Sequence, residues 1–294
     1  MSQTISIIVK PGADAEHLDA LRASVSSLRQ AGHSVEVRQT FEAGDGERFA
    51  REAAGASVDL VVAAGGDGTI NEVVNGLGVS SRRPRFAVVP LGTANDFALG
   101  LGVPPDVEAA VRAAVSGHAR AVDLPIVNQR YFLNVSTGGF GAEATEQAVA
   151  ESKRLLGSWA YLITGARQFV DLAPVGGLVE ADGRIVFSGE FLLFAVGNGR
   201  QTGGGSILTP RAELNDGLLD LLIVRTVQRL DFLSMLPDLR AGTHLESPDI
   251  LYTQAAHLVI TTEETLSVNA DGEPIRGTRF EYRLDPERLV VMTP

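Results

Sequence analysis

The hydrophobic pattern of the first part of the chain alternates between strand and helix. Apolar runs rich in β-branched residues at 5–10 and 34–41 predict two strands. The segment between them carries leucine and valine at helical spacing and ends at Gly32, which is typical of a helix terminus. These segments predict a β-α-β unit, in which a helix connects two parallel strands.

Two later strands of this part are apolar at every position rather than at alternate positions. They cover 59–64 and 86–91, and helical patterns at 46–54 and 69–78 flank the first of them. Continuously apolar strands are expected where helices cover both faces of a parallel sheet. The pattern therefore predicts a doubly wound α/β domain over residues 1–120.

After residue 120 the pattern becomes that of a β domain. Strand-like runs, the first at 121–127, follow one another between glycine, asparagine and aspartate turns, and 180–185 has the composition of a hairpin. Helical patterns interrupt the strands near 142–171 and 228–242. We predict a mainly antiparallel β-sandwich over 121–294, with inserted helices and with the last strand able to return to the first domain.

Composition narrows the classes of function. The 294 residues are 45% hydrophobic, which suits a globular protein of two domains, and the net charge of −11 argues against nucleic acid as a partner. The chain has no cysteine, so disulfides and thiol catalysis are excluded, and a cytoplasmic location is the default expectation. No apolar run predicts a signal peptide or a transmembrane segment.

The stretch GGDGTINE at 65–72 directly follows the strand at 59–64. Glycines at the carboxyl end of a parallel strand let the backbone N–H groups approach a phosphate, and the next helix adds the positive end of its dipole. Asp67 is useful there if it holds Mg²⁺ or accepts a proton. The stretch lacks the Walker A and dinucleotide spacings. The alternative is a plain Asp-Gly turn.

A second loop follows the strand at 86–91 and contains Thr93, Asn95 and Asp96. If this strand neighbours the previous one, the carboxylates of Asp67 and Asp96 face one cleft at the same edge of the sheet. The alternative is a helix N-terminus with Thr93, Asn95 or Asp96 as its capping residue.

These two loops, with TGGFG at 137–141, GNGRQTGGG at 197–205, NDGLLDL at 215–221 and DGE at 271–273, resemble the diacylglycerol kinase catalytic family. Within that family the chain is similar to the bacterial YegS-type lipid kinases, over nearly its whole length. The resemblance implies an ATP-dependent kinase that phosphorylates a lipid hydroxyl, with phosphatidylglycerol or diacylglycerol as acceptor. It also implies an N-terminal nucleotide-binding domain and a C-terminal β-sandwich.

The resemblance assigns roles to individual positions. It implies nucleotide contacts at Thr40, Gly65, Gly66, Asp67, Gly68, Thr69, Ile70, Asn71, Glu72 and Thr93. It implies catalytic or metal-related carboxylates at Asp67, Asp96 and Glu273, with Asp271 nearby, and Glu273 is the expected general base. From its residues alone, the segment 269–275 is equally explained as an Asp-Gly hairpin.

The same resemblance implies a structural Mg²⁺ site formed by Asp216 with backbone oxygens of Glu213 and Leu218. Such oxygen ligands also suit Ca²⁺, and the alternative is an Asn-Asp-Gly turn without a metal. The five histidines have no metal-ligand spacing.

Two other functions stay open at this stage. An NAD kinase-like enzyme also uses GGDG, and a lipid- or nucleotide-binding regulator would use the same loops without catalysis. The acidic chain would meet a lipid substrate at the inner face of the membrane as a peripheral protein, through an apolar cleft or a local patch. The oligomeric state is open, a homodimer included.

Overall fold

The computed structural model describes residues 2–10, 14–139 and 173–294. The chain divides into two compact units, Met1–Leu124 with Glu287–Pro294, and Pro125–Pro286. The helical pattern predicted near 142–171 lies outside the described residues. Among the described helices, none combines the length and the apolar character needed to cross a bilayer.

The first unit is a six-stranded sheet with helices. Its strands are β1 (Thr4–Val9), β2 (Ser34–Gln39), β3 (Leu60–Gly65), β4 (Arg85–Pro90), β5 (His118–Val122) and, at the end of the chain, β17 (Leu289–Thr293). Its helices are α1 (Ala15–Gln30), α2 (Asp45–Gly55), α3 (Asp67–Gly78), α4 (Asp96–Gly100) and α5 (Val107–Ser116). The strand order is β2-β1-β3-β4-β17-β5, and β1 to β4 are parallel.

Burial explains the continuously apolar strands of this sheet. Every residue of β3 is buried, and β4 is buried except at Arg85. Helix α2 packs against α3, and α1 packs against α5. Because both faces of the central strands are covered, their side chains have no water-facing side, and the predicted doubly wound α/β domain is confirmed.

The run at 121–127, predicted as one strand of the β domain, is divided between the two units. Strand β5 ends at Val122 because it pairs antiparallel with β17 in the first sheet. The carboxylate of Asp123, which is buried, then forms a 2.6 Å ion pair with Arg288 in the same unit. The change to the second unit therefore falls at Leu124, a few residues after position 120.

The second unit is mainly antiparallel β-structure. Its strands are β6 (Pro125–Val127), β7 (Arg130–Tyr131), β8 (Val135–Gly139), β9 (Val175–Ala181), β10 (Arg184–Gly197), β11 (Gln201–Thr202), β12 (Ser206–Ile207), β13 (Leu219–Arg225), β14 (Ile250–Ala255), β15 (His257–Ala270) and β16 (Glu273–Leu284). Helix α6 (Arg229–Ala241) and a 3₁₀ helix (His244–Glu246) lie between β13 and β14. The main sheet runs β14-β13-β10-β8-β15-β16-β6-β7, and β9 pairs with β10 and β15.

Side chains alternate across the central strands of this unit. On β10, Phe194 joins a core with Phe191 and Tyr282, whereas Leu193 joins a second core with Phe232 of α6. Successive strand residues point to opposite faces, so two apolar layers form, as a β-sandwich requires. The predicted β-sandwich, the helix near 228–242 and the hairpin at 180–185 are confirmed.

Candidate active site

The carboxyl ends of the parallel strands meet at one edge of the first sheet. The N–H of Thr40 donates to the Val9 oxygen (2.9 Å), and Val9 lies opposite Ala64 in the register of β1 and β3. The N–H of Leu91 donates to the Gly65 oxygen (3.0 Å). The loops after β2, β3 and β4 therefore leave the sheet at one level, where open α/β sheets bind ligands.

Glycines shape the loop between β3 and α3. A Cβ added at Gly65 would overlap the side chain of Thr69, and one added at Gly66 would lie 3.1 Å from the Cα of Gly92 in the neighbouring loop. Gly66 is the N-cap of α3 and has no side chain to satisfy the first turn. The segment is thus a strand-to-helix loop rather than a hairpin turn, and the N–H groups of the first turn can bind an anion.

Asn95 holds the loop after β4. It has a φ of +52°, its Oδ1 accepts from the Gly92 N–H (3.0 Å), and its Nδ2 donates to the Gly92 oxygen (2.8 Å). Asn95 is therefore the N-cap of α4 by position, but its side chain closes the loop instead of capping the helix. Thr93 is exposed, and Asp96 is buried as the first residue of α4.

Asp67 and Asp96 are brought together at this edge. Burial raises the pKa of the Asp67 carboxyl, and the charge of Asp96 raises it further. The backbone at Phe97 and Asn95 faces the same carboxyl and opposes this rise in pKa. The Oδ1 of Asp67 is buried and has no hydrogen-bond partner within the described residues. A cation or a proton would stabilise this arrangement.

Three other predicted nucleotide positions lie inside the unit. Thr40 is 7% exposed, and Ile70 and Asn71 are each 1% exposed. The side chain of Asn71 accepts a hydrogen bond from Nδ2 of Asn75 (3.1 Å). A nucleotide at this edge would therefore meet the backbone of the loop rather than the side chains of Ile70 and Asn71.

Glu72 connects the glycine loop with the loop that precedes α2. Its two carboxylate oxygens accept the N–H groups of Gly44 (3.2 Å) and Gly46 (2.9 Å). A Cβ added at Gly46 would lie 2.7 Å from Oε2 of Glu72, so the contact requires glycine. The sequence did not predict this role, and the closely spaced glycines before a helix were the available signal.

In the second unit, Asp271 and Gly272 form the two-residue turn between β15 and β16. Their φ angles are +48° and +97°, as expected for a hairpin turn. The Asp271 carboxylate accepts hydrogen bonds from three consecutive backbone N–H groups, those of Leu133, Asn134 and Val135. Glu273 is half-buried, and its carboxylate makes no hydrogen bond or ion pair within the part of the chain that the structure describes.

The segment with the predicted structural metal site is a turn before β13. The Oδ1 of Asp216 accepts from the N–H of Leu218 (3.0 Å), and the side chains of Glu213 and Asp216 are exposed. Asp220, which is 1% exposed, accepts a 2.6 Å hydrogen bond from the hydroxyl of Tyr252. Burial raises the pKa of Asp220, the Tyr252 bond opposes this rise, and the charge of Asp216 adds to it.

The carboxylates of the first unit fit a divalent cation. The described residues contain no group of three or more His, Asp or Glu side chains arranged for a metal. Mg²⁺, however, is commonly held by one or two carboxylates together with substrate phosphates. The unpartnered oxygen of Asp67 beside Asp96 suits a cation of this kind. At the turn, one oxygen of Asp216 is already bonded to Leu218, so a cation would rely on the other oxygen and on backbone carbonyls.

Both units match known protein families. Residues 5–127 match the diacylglycerol kinase catalytic domain, and residues 134–293 match the YegS C-terminal NAD kinase beta sandwich-like domain. A protein of Chromohalobacter salexigens named "Probable lipid kinase YegS-like" is 40% identical over 94% of this chain and 89% of its own length. A "Diacylglycerol kinase" of Bacillus subtilis is 38% identical over 91% of this chain and 88% of its own length.

The structural comparison agrees with the sequence matches. A crystal structure of a diacylglycerol kinase from Bacillus anthracis has a TM-score of 0.79 to this chain, with 26% identity and coverage of 99% of this chain and 97% of that one. The fold and the glycine-rich loops, with these matches, define a lipid kinase. The chain belongs to the diacylglycerol kinase catalytic family, with a C-terminal domain of the YegS type, which confirms the resemblance seen in its motifs.

Proposed function

We propose that this lipid kinase transfers the γ-phosphoryl group of ATP to a hydroxyl of phosphatidylglycerol or diacylglycerol. The observation that carries the proposal is the buried, unpartnered Oδ1 of Asp67, beside Asp96 and at the start of a helix entered through glycines. Phosphoryl transfer needs phosphate-binding N–H groups and carboxylates at one place. The name of the Bacillus subtilis relative supports diacylglycerol, whereas the YegS-like name specifies no lipid.

Each group has one task in the proposed reaction. The backbone from Gly65 to Thr69 binds the phosphates, with Thr40 and Thr93 on the neighbouring loops. Asp67 and Asp96 would hold Mg²⁺, which neutralises phosphate charge when bound. The lipid oxygen forms a bond to the γ-phosphorus, the bond to ADP breaks, and Glu273 accepts the hydroxyl proton.

Two further assignments complete the proposal. Asp271, bonded to backbone N–H groups, positions the turn that carries Glu273 rather than contacting substrate. Asp216, with backbone oxygens of Glu213 and Leu218, binds a structural Mg²⁺ or Ca²⁺. The enzyme would act as a peripheral protein on the cytoplasmic face of the membrane, and cosedimentation with phosphatidylglycerol vesicles checks that location.

The test is transfer of labelled γ-phosphate from ATP with Mg²⁺ to phosphatidylglycerol, diacylglycerol, ceramide, sphingosine and NAD in mixed micelles. We expect label in one of the first two lipids and its loss in Glu273→Gln. The exposed Glu264 of β15 provides a matched control, because Glu264→Gln changes a carboxylate of the same strand pair away from the turn. Label in NAD would show an NAD kinase-like enzyme, and equal background in wild type and Glu273→Gln would show a non-catalytic regulator.

A further inference from the structure

Phe41 is a solvent-exposed aromatic residue that lies two positions after the end of β2. It is 82% exposed, whereas every other phenylalanine in the described residues is at most 8% exposed. Single exposed apolar side chains are common on protein surfaces. The meaning of this one therefore depends on whether its backbone is fixed and on what lies beside it.

The backbone at Phe41 is fixed by Asp45. The Oδ2 of Asp45 accepts the N–H groups of Phe41 (2.9 Å) and Glu42 (3.2 Å). The Oδ1 of Asp45 forms an ion pair with Arg48 one turn further along α2. Asp45 is 5% exposed, and these bonds hold the pKa of its carboxyl below the ordinary value, the bond from Phe41 most of all. The loop is therefore ordered at the residue that exposes its ring.

The loop that contains Phe41 is also hydrogen-bonded to α3. Glu72 of α3 accepts the N–H groups of Gly44 and Gly46, so both carboxylate oxygens are used to hold the loop. Helix α3 begins at Asp67, directly after the glycines of the candidate phosphate loop. The contacts of Asp45 and Glu72 therefore hold the loop that contains Phe41 against the helix that follows the glycine loop.

The register of the sheet gives the separation between the two features. Thr40 bonds to Val9 of β1, and Lys10 bonds to Ala64 of β3 (3.2 Å). Phe41 thus lies beyond the same edge as Gly66 and two strand spacings away, which is about 10 Å at the backbone. A nucleotide whose phosphates bind at the glycine loop can extend its ribose past Lys10 and its base toward Phe41.

We propose that Phe41 provides the aromatic surface on which the base of the bound nucleotide stacks. The inference rests on the proposed use of ATP and names the residue that contacts the base, which neither the motifs nor the family resemblance assigned. Base–aromatic stacking tolerates any base because each has a π-face, so Phe41 contributes affinity more than it selects adenine.

The test is calorimetric binding of ADP with Mg²⁺, and of inorganic tripolyphosphate with Mg²⁺, to wild type, Phe41→Ala and Phe41→Trp. Phe41→Ala should weaken ADP binding roughly five- to 100-fold, from the usual effect of removing one stacked aromatic. Tripolyphosphate has no base, so its affinity should not change. Phe41→Trp should retain ADP affinity, and because the chain otherwise has one tryptophan, ADP should quench additional fluorescence in that variant.

Val79 provides the matched control. It is 57% exposed and lies at the other end of α3, so Val79→Ala removes exposed apolar surface from the same unit without touching the loop. An ADP affinity that is unchanged in Phe41→Ala would overturn the proposal. If that variant instead bound phosphatidylglycerol vesicles more weakly, the Phe41 ring would contact the membrane rather than the base. Equal loss of ADP and tripolyphosphate would also overturn it, since that pattern reports a collapsed loop.

Nucleotide binding and lipid phosphorylation, measured separately, test this inference independently of the proposed function. If ADP binding depends on Phe41 but no lipid is labelled, the base contact stands and the acceptor assignment fails. If a lipid is labelled while Phe41→Ala leaves the Kd of ADP and the KM of ATP unchanged, the kinase assignment stands and the base contact fails. If wild type binds no nucleotide, both fail.

Discussion

Asp67 and Asp271 each stand before a glycine, yet their carboxyl groups have opposite surroundings. Asp67 begins a helix, and its Oδ1 is buried without a partner among the described residues. Asp271 lies in a hairpin turn and accepts three backbone N–H groups. A carboxylate with an unsatisfied oxygen is available to a cation or proton, whereas one with satisfied oxygens orders the chain.

The first prediction concerns Asp67→Asn. The folded state favours neutral Asp67, because burial and the charge of Asp96 raise its pKa above 3.8. The stability from this preference is present below the ordinary pKa and is lost as pH rises through the folded pKa. Asp67→Asn should therefore be more stable than wild type at pH 7, with the difference vanishing at low pH. Phosphate transfer should fall by about 10²-fold or more, because Asp67 is proposed to hold the Mg²⁺ whose charge stabilisation is worth several kcal/mol.

Urea unfolding from pH 4 to 8, together with the transfer assay, checks this prediction. Asp19→Asn is the control, because Asp19 is an exposed carboxylate of α1 and should change neither measurement. A variant that is less stable than wild type at pH 7, or one with undiminished transfer, would contradict the assigned role of Asp67.

The second prediction separates Asp271 from Glu273. Asp271→Ala removes the acceptor for three N–H groups and should lower the free energy of unfolding by about 1–3 kcal/mol. Asp271→Asn keeps a residue that tolerates positive φ and one acceptor oxygen, so its loss should be smaller. Glu273→Gln should leave stability unchanged and remove transfer. Both variants are measured by urea unfolding and turnover. If Asp271→Asn removed transfer without lowering stability and Glu273→Gln lowered stability without removing transfer, Asp271 would be the catalytic group and Glu273 the structural one.

Local patterns predicted the strands and helices but not the contacts that join them. The apolar run of β3 and the glycines before α3 lie within a few residues of each other, so the sequence shows them together. Glu72 and Gly46 are 26 residues apart, and Asp271 and Val135 are 136 apart. Contacts over such separations depend on the register of whole sheets, which no local pattern encodes.

The third prediction concerns the packing of α2 on α3. A Cβ added at Gly76 would overlap the carbonyl oxygen of Glu47 and lie 2.9 Å from the Cβ of Ala50. Gly76→Ala should therefore lower the free energy of unfolding by about 1–3 kcal/mol, although alanine favours helices. Gly55→Ala is the control in α2, since the added Cβ would meet no atom within 4 Å beyond its chain neighbours and its own helix backbone, and it should be neutral or slightly stabilising. Similar values for both variants would show that the two helices are not tightly packed.

The fourth prediction concerns the turn at Glu213–Leu218. If Asp216 binds a structural cation, removal of Mg²⁺ and Ca²⁺ by a chelator should lower the unfolding temperature, and Asp216→Asn should show the same lower value with or without chelator. Asp249, an aspartate outside the turn, gives Asp249→Asn as a control that keeps the response to chelator. If neither chelation nor Asp216→Asn moves the unfolding temperature, the turn carries no structural cation.

The first unit is formed by two segments that are distant in sequence, Met1–Leu124 and Glu287–Pro294. Strand β17 lies between β4 and β5 in the first sheet, although the whole second unit precedes it in sequence. The sequence pattern allowed the last strand to return to the first domain, but it did not decide which sheet that strand joins. A local pattern does not distinguish between possible partner strands from distant parts of the chain. The sheet that β17 joins is decided only in the fold, where Val291 pairs with Phe86 of β4 and Arg120 of β5.

The fifth prediction tests this return of the chain. Val291 is fully buried in β17, so Val291→Ala should lower the stability of the first unit by roughly 1–3 kcal/mol. Amide hydrogen exchange should become faster in β4 and β5, while exchange in β13 of the second unit stays as in wild type. Val290, 39% exposed on the same strand, gives Val290→Ala as a control with little effect. Equal acceleration in β13 would mean that the two units unfold as one, and no change in β4 would mean that β17 contributes little to the sheet that contains the candidate phosphate loop.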